Sequence, residues 1–209
     1  LYDIYAYKIF PVVFDGNITK KYTVKIANYN TGDFKRSVTR GVWVSDVGSD
    51  VFASQANIKE CVDICKNIGI NTIFVVTYNN AQTKYPSEVM KEYMGVDIDL
   101  KYRGRDPLRE LINLAKPAGI KVVAWFEYGF SSSYSANGGP IVAAKPNWAA
   151  KDVNGNLVVK NGFDWLNAIH PEVQQFLIDL FKEVVTNYAG LDGVQGDDRL
   201  PAMPSTGGY

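Results

Sequence analysis

Histidine is almost missing: His170 is the only one in 209 residues. A hydrolytic metal centre of the deacetylase kind needs a cluster of His and acid ligands. One histidine among scattered acids argues against it, so neither a metal nor a cofactor is expected. Cysteine is nearly as scarce. Cys61 and Cys65 are the only two, four apart on an expected helix. They share one face and read as buried free thiols, which leaves the redox compartment unread. No charge of one sign is in excess, because 22 basic residues meet 22 acidic ones. Without a basic stripe, nucleic acid is not an expected partner. No apolar run approaches membrane-span length, so no transmembrane segment is expected. Ser45-Asp46-Val47-Gly48, after the first strand, is no Gly-rich phosphate loop, which weakens the reading of a small open doubly wound sheet. The chain opens on Leu1 without a charged-then-apolar leader and reads as a processed or trimmed product. The lone sequon Asn17-Ile18-Thr19 is weak evidence of secretion.

What remains is ordinary globular stock, 46% hydrophobic and 21% charged, and long enough for one domain with a sizeable core. Aromatic content is mildly high at 13%, with 13 Tyr and 4 Trp. Sugar clefts use such rings as platforms, but cores use them too.

Residues 1–38 read as extended, edge-like segments, a hairpin or the end of an upstream module, with Asp15-Gly16-Asn17 as a turn. From residue 39 a regular alternation begins. Strands are expected over Thr39–Ser45, Ile70–Tyr78, Ile120–Phe126 and Gly193–Asp197. The second is unbroken apolar, as when both faces are covered. Helices are expected over Asn57–Asn67, after an Asp106 cap with Pro107 in the first turn, and from His170-Pro171, with a short one over Ser87–Met94. A long insertion, 128–165, carries a tight turn at Asn154-Gly155. Loops of that length are usually functional. Four βα units make a parallel α/β architecture, whereas a complete eight-unit barrel takes about 250 residues. The expected fold is therefore a (β/α)8 TIM-barrel type, with 39–209 as its N-terminal half and the C-terminal half as a missing partner.

Side chains alternate along a strand. Gln195 and Asp197 then share one face, as do Trp125 and Glu127. Strand one ends at Ser45 and Asp46, and strand two at Tyr78, Asn79 and Asn80, all on one rim. In such sheets, active sites collect at the carboxyl ends of the strands. Two carboxylates about one sugar-bond distance apart can cleave a glycoside: one protonates the leaving oxygen, the other attacks or activates water. Plainer readings stand beside this one. Asp198 with Arg199 reads equally as an ion pair, Glu127 as a structural acceptor, and His170 as a helix cap. Trp43 and Trp125 read as core, Trp148 and Trp165 as better platforms.

The segments Arg40-Gly41-Val42-Trp43-Val44-Ser45, Tyr85-Pro86-Ser87-Glu88, Gly104-Arg105-Asp106-Pro107-Leu108, Trp125-Phe126-Glu127-Tyr128-Gly129-Phe130 and Gly193-Val194-Gln195-Gly196-Asp197-Asp198-Arg199, in that order, resemble the glycosyl-hydrolase-like 10 family. Asn161-Gly162-Phe163, Trp165-Leu166-Asn167 and His170-Pro171-Glu172-Val173-Gln174 extend the match. The resemblance runs from about residue 39 to the end. It implies a TIM-barrel glycosidase on a polysaccharide, with bacterial cell-wall glycan as one substrate, and an extracytoplasmic location. The pattern Asp192-Gly193-x-x-x-Asp197 is also similar to the α-amylase-like superfamily, which implies Asp197 as nucleophile. That superfamily's arginine two residues earlier is Gln195 here, and its general acid comes from the next strand. Either Glu127 is the acid or the acid lies beyond Tyr209. Asp197 and Glu127 are thus the candidate catalytic pair. Asp198, Arg199, Asn79, Tyr78, Tyr128, Trp165, Asn167, His170 and Asp46 are candidate substrate contacts. The alternative is a non-catalytic carbohydrate-binding or envelope-associated module on a barrel scaffold.

Overall fold

The structure, a computed structural model, describes residues 38–200. Residues 1–37, expected to be extended, and the sequon among them lie outside the described residues. Four parallel strands form the main sheet in the order β1-β2-β4-β8: β1 Gly41–Val44, β2 Thr72–Asn79, β4 Lys121–Phe126 and β8 Gly193–Gly196. The two-residue β3, Gln82–Thr83, folds back antiparallel on the end of β2.

The helices form where the sequence signals them. In α1, Gln55–Asn67, Ser54 caps the first turn by accepting from Asn57 N. Gly69, with φ +81°, takes the chain out of it. Ser87 caps α2, Glu88–Met94, and Asp106 caps α3, Pro107–Ala115, with proline in the first turn. His170 caps the 17-residue α5, Pro171–Asn187. Leu108, Leu111, Ile112 and Ala115 of α3 are buried, as are Val173, Phe176, Leu177, Leu180 and Val184 of α5. They share the core with Ile73, Val75, Val122, Ala124 and Phe126, the helix-facing positions of β2 and β4.

The other face of the sheet carries Trp43, Phe74, Val123, Trp125 and Gln195, which follow from the strand register. It is curled. The Trp43 indole on β1 donates to Gln195 Oε1 on β8 at 3.0 Å, joining the two outermost strands across that face. Trp43 also stacks on Phe74 at 4.6 Å. Expected as a core residue, Trp43 is 53% exposed among the described residues.

The insertion is a second small sheet, not an irregular loop. β5, Ser131–Tyr134, pairs with β7, Phe163–Trp165, which pairs with β6, Val159–Lys160. The helix α4, Gly139–Ala144, follows β5. Asn154-Gly155 turns as expected, with Asp152 accepting from the backbone of Asn154 and Asn156. A second turn, Asn161-Gly162, has φ of +53° and +80°, the pair of left-handed residues that a two-residue hairpin requires. Asp164 anchors the sheet by accepting from Ser133 Oγ, Ala136 N and Gly138 N.

Trp148, expected as a platform, is fully buried. Its ring packs on Tyr93 and Phe176, and its indole donates to Glu172 at 2.8 Å. Phe176 also meets Tyr78 at 6.3 Å, so it joins α5 to β2 and to the insertion. Phe176→Ala should cost about 3–5 kcal/mol of stability. Urea unfolding checks this; a loss below about 1 kcal/mol would mean the cluster repacks freely.

Candidate active site

All four parallel strands end at one rim, and each delivers a polar side chain there. Asp46 lies just past β1, Asn79 ends β2, Glu127 follows β4 and Asp197 follows β8. Because Trp125 and Gln195 are register partners, alternation puts Glu127 and Asp197 two residues on from a shared face. Trp125 Nε1 donates to Asp197 Oδ2 at 3.1 Å, so the indole that reads as core in the sequence reaches into the site.

Arg199 holds the two acids together. Its Nη2 lies 3.1 Å from Asp197 Oδ2 and 3.7 Å from Glu127 Oε1, so these two oxygens are no farther apart than the sum of those contacts. Its Nε donates to the Glu127 carbonyl at 3.0 Å, and Nη1 pairs with Asp198 at 3.2 Å. The guanidinium stacks over Phe163 at 4.5 Å and lies 5.7 Å from the Tyr128 ring centre. Asp197 keeps a quarter of its side chain exposed, so the ion pair leaves it open to solvent. Gly129, at φ +49°, lets the Arg199 backbone approach. A Cβ there would stand 2.5 Å from the Arg199 carbonyl oxygen.

Behind Glu127 lies a chain of charges in which Asp46, expected as a substrate contact, is instead paired with Lys84, and whose Lys84 and Asp99 the sequence reading passed over. Lys84 is buried between Asp46 at 2.8 Å and Asp99 at 2.9 Å. Asp46 accepts from Asn79 Nδ2 at 2.8 Å, and the same amide nitrogen donates to Glu127 Oε2 at 3.1 Å. Both amide hydrogens of Asn79 are therefore committed to carboxylates, and its role at this rim is to orient Glu127. Tyr102 donates to Asp46 at 3.4 Å. Lys84 sits between β3 and the Tyr85-Pro86-Ser87-Glu88 segment, where no strand or helix period runs, so periodicity could not find it.

Burial pushes Glu127 above the usual carboxylate value, with Asp46 and Asp197 adding to the rise. The hydrogen bond from Asn79 and the charge of Arg199 oppose that rise without cancelling it. For Asp46, burial also pushes upward, but the Lys84 contact and the Asn79 amide outweigh it, and its carboxyl titrates below the usual value. The rim thus holds one carboxyl that keeps its proton longer than normal and one that gives it up sooner.

Of the other sequence candidates, Tyr128 and Asp198 contact Arg199 and the rest sit away from the acids. A register shift between Val76 and Tyr78 in β2 turns Tyr78 into the helix layer. There it is fully buried, 6.3 Å from both Phe126 and Phe176, with an unpartnered hydroxyl. It is not on the rim. The same shift aims Asn79 at the acids. Trp165 is buried against Val158 and Phe163 in the small sheet and offers no open platform. Asn167 and His170 shape the start of α5: Asn167 Oδ1 accepts from Ile169 N, and His170 Nδ1 accepts from Glu172 N. Tyr128 is buried beneath Arg199, and Asp198 is exposed.

The family described as Glycosyl hydrolase-like 10 matches residues 38–209. The chain is similar to the glycosyl hydrolase DigH of Escherichia coli strain K12, 28% identical over 80% of this chain. The match spans 41% of that protein's length. Among solved structures, a hypothetical protein from Ruminiclostridium thermocellum ATCC 27405 superposes with a TM-score of 0.59 at 20% identity, over 78% of each chain. The alpha-L-fucosidase isoenzyme 2 of Paenibacillus thiaminolyticus gives 0.55 at 21% identity, over 76% of this chain and 23% of its own. These two likenesses are of fold.

Two outcomes follow from the buried charges. Lys84→Met leaves two buried acids without their cation and should cost about 3–5 kcal/mol, read by chemical unfolding. Because Asp46 titrates below its ordinary 3.8 when folded, its contribution is present above that value and lost as pH falls through the lowered one. Asp46→Asn should therefore flatten the acid side of the stability-against-pH curve; an unchanged curve would refute the assignment.

Proposed function

Because the chain belongs to the glycosyl hydrolase-like 10 family, we propose that it supplies the N-terminal half of a TIM-barrel glycoside hydrolase acting on a polysaccharide. The observation that carries the reading is the convergence of Glu127 and Asp197 on one guanidinium at the carboxyl end of a parallel sheet. The half-barrel reading rests on the curl of that sheet, on its two outermost strands β1 and β8, and on the fraction of the DigH length that the chain matches.

In this mechanism Glu127 is the general acid. Its raised value keeps the proton available where an ordinary carboxyl has lost it, and Asn79 aims it. Asp197 is the nucleophile or base, fixed in place by the Trp125 indole and Arg199. Their linkage through one Nη2 favours the close spacing of retaining enzymes, about 5–5.5 Å between carboxyl groups. As substrate approaches, Arg199 can exchange a carboxylate for a sugar hydroxyl without leaving its stacked position on Phe163. Cell-wall glycan as the polysaccharide, and an extracytoplasmic location, are supported by the family resemblance.

A second reading has one observation in its favour. An arginine that neutralises both acids suits a carbohydrate-binding module as well as an enzyme. Glycan binding without turnover by the full-length protein would select it.

In the full-length protein, Asp197→Asn and Glu127→Gln should each lower turnover of a polymeric glycan by about a hundredfold or more, with unfolding midpoints close to the parent. Glu127→Gln should also erase the alkaline limb of the pH-rate profile, since that limb reports loss of the acid's proton. Unchanged turnover of a cleavable glycan in either variant rejects that residue's role.

A further inference from the structure

The small sheet of the insertion carries two rings outward from Arg199, and the catalytic reading uses only the inner one, Phe163. Tyr134 and Phe163 are direct cross-strand partners on β5 and β7, so their side chains stand on the same face of that sheet. The rings meet edge to face at 5.1 Å. Phe163 in turn meets Tyr128 at 5.5 Å and lies under the Arg199 guanidinium at 4.5 Å. A continuous row of π surface therefore leads from the carboxylates outward. Its outer member is open: Tyr134 is 57% exposed.

The outer ring is also held in place. The Asn161-Gly162 turn leaves room beneath it, and a Cβ on Gly162 would meet Tyr134 Cε2 at 2.5 Å and its hydroxyl oxygen at 3.0 Å. The ring rests against bare backbone on one side and against Phe163 on another. An exposed tyrosine on a mobile tip loses rotamer freedom on binding. One already seated loses little, and preorganisation of that kind raises affinity.

We infer that Tyr134, backed by Phe163 and seated on Gly162, is a stacking platform for a pyranose ring of the glycan chain, one or more units away from the bond being cleaved. Pyranose rings offer an apolar C–H face with hydroxyls at the edge. A seated tyrosine offers an apolar plane with a hydroxyl at its tip. The inference rests on the carbohydrate reading above and deepens it, by giving the insertion the task of holding polymer rather than cutting it.

The test uses the full-length protein, with purified bacterial cell-wall glycan strands and chitohexaose as probes. Tyr134→Ala should raise KM, or Kd in pull-down and titration, by about tenfold for whichever probe the parent engages. The kcat should stay within about twofold, as expected for binding lost equally from ground and transition states. Tyr134→Trp should restore the parent value. Gly162→Ala, which keeps the ring but displaces it, should weaken binding as Tyr134→Ala does. Equal KM or Kd for parent and Tyr134→Ala overturns the platform, and so does a loss confined to kcat. If the parent binds strands but never cleaves them, the binding arm still decides the platform, while the failure of turnover falls on the hydrolase reading alone.

Discussion

One guanidinium sets the terms of the whole rim. Arg199 touches the side chains of Asp197, Asp198 and Glu127, the backbone of Glu127 and the faces of two aromatic rings. Two partly buried carboxylates at the end of neighbouring strands repel each other and resist desolvation. A fixed positive charge between them makes the arrangement tolerable. That charge belongs to the loop just after β8, which reaches Gly129 and Phe130 after β4 through its backbone. The close packing of the two chain segments and the electrostatics of the site are therefore one problem with one solution. A side chain at position 129 would spoil both.

The same economy recurs one layer deeper. Lys84, Asp46 and Asp99 form a buried ionic trio, whose desolvation is expensive and which packed apolar residues could often replace with profit to stability. What the trio provides is position. Asp46 cannot move without leaving Lys84, and Asn79 cannot turn without leaving Asp46. The Glu127 carboxyl is thereby reached by a rigid polar path from the core of the domain. Asn79 thus serves here as a holder of Glu127, where the sequence suggests a sugar contact.

How much of this was legible depended on whether the relevant physics is local. Strand and helix periodicity, the Asp106 and Ser87 caps and the Pro171 entry all announce themselves within a few residues, and the elements form where they say. The placing of Glu127 and Asp197 on one rim was also readable, because alternation along two regular strands needs only the strand order of a parallel barrel to bring them together. Tyr78 was misplaced because a register shift inside β2 breaks alternation, and nothing in the run Val75-Val76-Thr77-Tyr78 marks it. The tryptophans were ranked wrongly for a related reason. Trp148 sits in a loop-like segment, yet α5 and α2 close over it. Trp165 sits at the end of the insertion, yet Val158 and Phe163 close over it. Lys84 was invisible because a single lysine carries no periodic signal, and its partners lie 38 residues before it and 15 after it in sequence.

The register shift in β2 also divides that strand into two territories. Before it, Ile73 and Val75 answer to the packing of helices against the sheet, and a change of volume there is felt as stability. After it, the phase is reset, so Tyr78 remains with the scaffold while Asn79 answers to chemistry at the rim. A strand without that irregularity would turn Tyr78 toward the rim and Asn79 toward the helices. Two residues adjacent in sequence therefore face different neighbours: a change at Tyr78 meets the rings of the helix layer, and a change at Asn79 meets the acids at the rim.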